Sequence, residues 1–252
     1  RLLERLLFGR SRTSGVETAI ARVDQSSREV IETVALIEAV PYDVLVGFTS
    51  PQTIDCLAED GLLSISKGRG GTVSMHEPVT AENVRAMVPP SRSLELLTRF
   101  DAGADLSALH GRTLFGYAAW SISLGRVPTP KQVLDAAGWA NARGRYREAA
   151  EIIRTSGYRG PELDLEHARS EWGAGRLRQA REIVDPLVSE ACLNPDTSAQ
   201  EYLSRLASME LRLIDPRKPE DLRLDWVRDT LSLPIDVGRL DATRARFDLK
   251  GG

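Results

Sequence analysis

The two glycines Gly144 and Gly175 lie 31 positions apart, and the ten residues starting at each follow one pattern. The first copy is Gly144-Arg145-Tyr146-Arg147-Glu148-Ala149-Ala150-Glu151-Ile152-Ile153, and the second is Gly175-Arg176-Leu177-Arg178-Gln179-Ala180-Arg181-Glu182-Ile183-Val184. A glycine turns the chain where a side chain would obstruct the approach of two antiparallel helices. Tyr146 and Leu177 read as the apolar knobs that open the second helix of each pair. Ala149 and Ala180 then let that helix come close to its partner, and Ile153 and Val184 fill the interface one turn on. A chain built this way is constrained to stacked helical hairpins, which bury a core only against their neighbours.

The pattern is that of tetratricopeptide-type repeats, whose period lies close to this spacing. Such arrays usually bind and link other molecules rather than catalyse reactions. From Thr129 to Leu193 ten Arg/Lys residues face ten Asp/Glu, and the whole chain of 252 residues carries a net charge of −3. Neither balance favours nucleic acid or an anionic membrane as a general partner. The two cysteines, Cys56 and Cys192, are far apart and show no metal or redox spacing, which points to packed thiols in a reducing, cytoplasmic setting. No apolar run approaches a membrane span, and no signal peptide is visible. The chain starts at Arg1 and ends in Gly251-Gly252, and is expected to be part of something longer.

Ahead of the repeats the pattern changes. Residues 1–25 read as a helical lead-in. Ser26 to Glu29 has the form of a capping box, followed by Val30, Ile31, Val34, Ile37 and Val40 at helical spacing, with Pro41 as the stop. A short helix from Asp43 to Phe48 comes next, and Thr49-Ser50-Pro51 opens another that ends at Gly61. Leu62–Ser66 and Thr72–His76 read as strands joined by the glycine-rich turn 67–71. Three helices and a hairpin make a winged-helix module, with a further helix from Thr80 to Val88. After Ser91 only helices are expected, with hairpins continuing over roughly 145–156, 161–174, 176–190, 197–213 and 219–231. The expectation is therefore a mostly α protein: a lead-in and winged-helix domain over 1–90, then a tetratricopeptide-like helical array over 91–252.

Several stretches taken in order resemble a known family. They are Ser27-Arg28-Glu29-Val30-Ile31-Glu32, Leu57-Ala58-Glu59-Asp60-Gly61-Leu62-Leu63, Met75-His76-Glu77-Pro78, Ala118-Ala119-Trp120, Ala137-Gly138-Trp139-Ala140-Asn141-Ala142 and the two glycine-led hairpins. Over about residues 24–190 the chain resembles the large LuxR-type, ATP-binding transcriptional regulators of actinobacteria, members of the STAND class of signalling ATPases. The resemblance implies a protein or small-molecule inducer on the repeats and a nucleotide-binding module in cis, with ATP or ADP held by the full-length parent. This chain contains no Gly-x-x-x-x-Gly-Lys-[Ser/Thr] loop and no recognisable LuxR-like helix-turn-helix. It is expected to hold no cofactor itself, and to be the regulatory middle of such a protein. A free-standing adaptor that binds a peptide or protein is the competing reading.

His76 is the one candidate site residue. Met75-His76-Glu77 is similar to the Met-His-Asp motif of plant immune-receptor ATPases, where the resemblance implies a histidine near the β-phosphate of ADP. Glu77 here stands in place of that aspartate. An imidazole can donate a hydrogen bond to phosphate and adds charge when protonated; the alternative is that it caps the strand-to-helix turn. Direct DNA binding is not expected, because the third helix carries Asp55, Glu59 and Asp60 where a reader helix needs Arg, Lys, Asn or Gln. Gly68, Gly70 and Gly71 precede a strand rather than a helix, so they make a hairpin turn and no phosphate cradle. Trp120, Trp139, Trp172 and Trp226 read as packing residues, and His110 and His167 have no partner at metal-ligand spacing. No nucleophile–base arrangement is recognisable, so an enzyme is not expected.

Overall fold

Asp24, rather than Ser26, begins the first helix. In a computed structural model that describes residues 23–47, 49–66, 71–193, 200–213 and 230, the Asp24 carboxylate accepts the Ser27 N–H at 2.9 Å and the Ser27 hydroxyl at 2.8 Å, satisfying a donor that the first turn leaves open. Ser26 instead shares a 2.5 Å hydrogen bond with Thr49. Helix α1 (Gln25–Ile37) buries Val30, Ile31, Val34 and Ile37 along one stripe. It ends before Pro41, at Glu38, whose φ of 71° breaks the helical run. Val40 and Pro41, read from sequence as the end of the helix, instead form a two-residue strand, β1.

Helices α2 (Tyr42–Val46) and α3 (Pro51–Glu59) follow. Ser50 caps α3 by accepting the Thr53 N–H at 3.2 Å, and Pro51 occupies the first turn, where its missing N–H costs nothing. Strands β2 (Leu63–Ile65) and β3 (Thr72–Met75) complete an antiparallel sheet in the order β1-β3-β2. Leu63 pairs with Met75 and Ile65 with Val73 on one side of β3, and Val40 pairs with Val73 on the other. Pro41, which cannot donate to a ladder, is tolerated because β1 is an edge. Helices α4 (Pro78–Met87), α5 (Pro90–Gly103) and α6 (Gly111–Ser123) come next, and α1 packs against α3, α4, α6 and β3.

Helices α5 and α6 belong with the sheet. A Cβ added at Gly116 would lie 1.7 Å from the Ile37 carbonyl oxygen, so the backbone of α6 rests directly on the end of α1. The Phe100 ring meets Tyr117 tilted and Trp120 edge-on, with centroids 5.9 and 6.4 Å apart, and the Trp120 indole donates to Ser93 at 2.8 Å. Arg92 of α5 reaches Glu29 and Glu32 of α1, both at 3.0 Å, and Arg99 reaches Glu29 at 2.5 Å. Burial alone would raise Glu29, but bonds from Arg92, Gln25 and Arg99 hold its carboxyl below the usual range.

With these contacts α5 and α6 fall in the same compact unit as the sheet, and the chain divides into two compact units between Trp139 and Ala140. Helix α7 (Pro130–Asn141) runs across that point, opened by Thr129 and Gln132, which exchange hydrogen bonds at 2.9 and 3.4 Å.

The second unit stacks α8 (Tyr146–Ser156), α9 (Pro161–Gly173), α10 (Leu177–Leu193) and α11 (Gln200–Leu213). Helix α9 packs on α8, α10 and α11, and α10 packs on α11. Gly144 and Gly175 both take positive φ, at 75° and 79°. Each turn is closed by the same two bonds: Gly144 N–H to the Asn141 carbonyl and Arg145 N–H to Ala140, then Gly175 N–H to Trp172 and Arg176 N–H to Glu171. This left-handed helix end is the one a glycine makes without strain. Ala149, Ile153, Ala180 and Val184 are fully buried. Tyr146 and Leu177, however, are not equivalent. A Cβ at Gly173 would lie 2.3 Å from the Tyr146 ring, whereas Leu177 is 56% exposed.

Among the described residues there are eleven helices and three strands, a mostly α fold, and no helix long and apolar enough to cross a membrane. The lead-in over 1–22, the turn 67–70 and the helix expected at 219–231, apart from Thr230, lie outside the described residues.

Candidate functional site

Strand β3 alternates, with Val73 and Met75 buried and Thr72 and Ser74 partly exposed, which brings His76 out at its end. The His76 N–H donates to the Leu62 carbonyl at 3.0 Å, extending the β2–β3 ladder by one residue. Glu77 is the N-cap of α4, with Pro78 in the first turn, and no side chain caps this helix. The turn is thus built by the backbone alone. The His76 imidazole is exposed and bonds to none of the described residues, so the capping role finds no hydrogen bond to support it.

The solvent side of α3 is defined with equal clarity. Ile54 and Leu57 are buried, leaving Gln52, Asp55, Cys56 and Glu59 exposed at helical spacing, with Asp60 exposed just beyond. Ser66 closes the base of the hairpin by accepting the Thr72 N–H at 2.8 Å, while Lys67 and Arg69 lie outside the described residues.

The second unit holds two buried polar groups of a different kind. Asn141 donates to the Glu166 carboxylate at 2.7 Å and to its carbonyl at 3.1 Å, and Ser170 donates to Asn141 at 3.0 Å. Arg205 and Arg169 reach the same carboxylate at 2.9 and 3.3 Å. This group ties the end of α7 to α9 and α11, and its acceptors are filled, so its chemistry is structural. Around the α9–α10 turn, Glu171 holds both His167, at 3.2 Å, and Arg176. Because a carboxylate only accepts, the proton sits on His167 Nε2, and the buried Nδ1 has no hydrogen-bond partner among the described residues. Burial pushes the His167 imidazole below its ordinary value, against the pull of Glu171.

No family model, no curated protein and no solved structure matches this chain. Trp120 and Trp139 are packing residues, the latter against Phe115 at 5.4 Å, and Trp172 packs on the core around Ala180 and Val184. Trp226 lies outside the described residues. His110 Nδ1 lies 2.9 Å from the Ala108 carbonyl. Among the described residues no three His, Cys, Asp or Glu side chains gather to hold a metal. The sequence reading missed the Arg92 clamp and the Asn141–Glu166 group. Glu29 and Glu32, three apart on a helix, and Arg92 and Arg99, seven apart on another, were visible as single faces, but nothing local said that they meet.

Proposed function

We propose that this chain is the regulatory middle of a LuxR-type, ATP-dependent transcriptional regulator. In this reading the first unit contains a winged helix, and the array of hairpins receives a protein or small-molecule inducer. The element order α1-β1-α2-α3-β2-β3 and the sheet order β1-β3-β2 are those that a winged helix takes, and they support the reading. The paired glycine turns at Gly144 and Gly175, with Ala149 and Ala180 buried behind them, support tetratricopeptide-like repeats.

The observation that carries the functional step is His76, exposed at the end of β3 and without a side-chain hydrogen bond among the described residues. From there it meets the phosphate of ADP bound to a nucleotide module in the same parent protein. The chain itself is neither the ATPase nor the DNA reader, and it works in the cytoplasm. The coding sequence on both sides of this chain tests the proposal. A phosphate-binding loop upstream and a helix-turn-helix downstream agree with it; a start codon near Arg1 and a stop after Gly252 contradict it and favour a free-standing adaptor.

A further inference from the structure

Glu38 is, among the described residues, the single non-glycine residue with positive φ, at 71° with ψ −35°. A bulky L-residue does not stay in that region unless its surroundings hold it there. The surroundings come from two helices. Arg85 of α4 places its guanidinium 3.8 Å from the Glu38 carboxylate and donates through Nε to the Ala35 carbonyl, one of the carbonyls the end of α1 leaves open. Arg112 of α6 reaches the other carboxylate oxygen at 3.5 Å. Beside them Gly116 of α6 lies against the Ile37 carbonyl so closely that no side chain fits. Two cations at a helix C-terminus are favourable to its dipole as well as to Glu38.

We infer that the C-terminus of α1 is a conformational joint, at which Glu38, gripped by Arg85 and Arg112, makes α4 follow α6. The helices are otherwise separate in sequence, with α5 between them. Glu38 is where both are held by one side chain, and it is a position whose backbone relaxes when the grip is lost. Strained residues held by their neighbours are a common basis for two-state behaviour. His76 lies two residues ahead of α4, so the joint sets how the imidazole is presented. That use of the joint rests on the function proposed above; the joint itself does not.

Hydrogen exchange read by mass spectrometry on the full 252-residue chain tests it without nucleotide. Arg112→Ala, a change on α6, is expected to speed exchange of the α4 amides about two- to fivefold, the range open to an exposed ion pair. Arg112→Lys keeps the charge and restores slow exchange. In a Glu38→Gly background, where carboxylate and strain are both gone, Arg112→Ala adds nothing in α4. An effect confined to α6, an equal rise in α3, or the same rise in the Glu38→Gly background overturns the inference. Failure of the ATPase reading leaves these outcomes unchanged, so the two are tested separately.

Discussion

Ala149 and Ala180 are fully buried where α8 and α10 approach α9, and their size sets the helix spacing. Ala149→Leu or Ala180→Leu inserts three heavy atoms into a closed contact, and overpacking of this kind costs about 1–3 kcal/mol. Each variant is expected to lower the midpoint of thermal unfolding followed by circular dichroism; unchanged midpoints in both would show that these alanines do not set the spacing. His167 supplies a second prediction. Its folded value lies below the ordinary 6.5, so between the two values the unfolded chain binds a proton that the folded chain does not. Unfolding then takes up a proton, and stability falls as pH drops through about 6.5. Protonation would also place a hydrogen on buried Nδ1, which has no acceptor among the described residues. Denaturant titrations at pH 7.5 and 5.5 are expected to show a loss in the native chain that His167→Gln diminishes. An equal loss in both chains contradicts this.

At the scale of elements, α3 decides what the first unit can touch. Its exposed side offers Asp55 and Glu59, with Asp60 at its end, and a carboxylate face repels the phosphates that every duplex-binding helix must approach. In a gel-shift assay at low salt the chain is expected to give no sequence-selective complex; a selective, salt-sensitive shift would refute the assignment. The elements that could be read from sequence were those with local signals. Ser50-Pro51 marked the start of α3, Gly61 its end, and the two glycine-led repeats marked α8 and α10. β1 could not be read in this way, because two residues ending in proline carry no period and pair only when β3 arrives beside them. The contacts that join α5 and α6 to the sheet were hidden for a related reason. Pro89-Pro90 looks like a linker locally, but Arg92, Arg99 and Gly116 commit α5 and α6 to α1 through contacts distant in sequence. Tyr146 and Leu177 show the limit of a repeat pattern. The same position packs where Gly173 leaves room for a ring and faces solvent in the next copy.

At the scale of the whole molecule, the chain forms two compact units. Under the proposed function the first unit reports through His76. The candidate residue was legible, since Met75-His76-Glu77 stood out in the sequence, but its exposure at the end of β3 needed the sheet to be seen. The direct test is made in the full-length parent, by following ADP release from the native protein and from His76→Ala together with basal transcription of a reporter. A hydrogen bond to a charged group contributes roughly 1.5–3 kcal/mol, so its loss is expected to speed ADP release about ten- to a hundredfold and to raise transcription without inducer. A His76→Ala protein that releases ADP at the native rate and transcribes no more than the native protein contradicts the phosphate-sensing role.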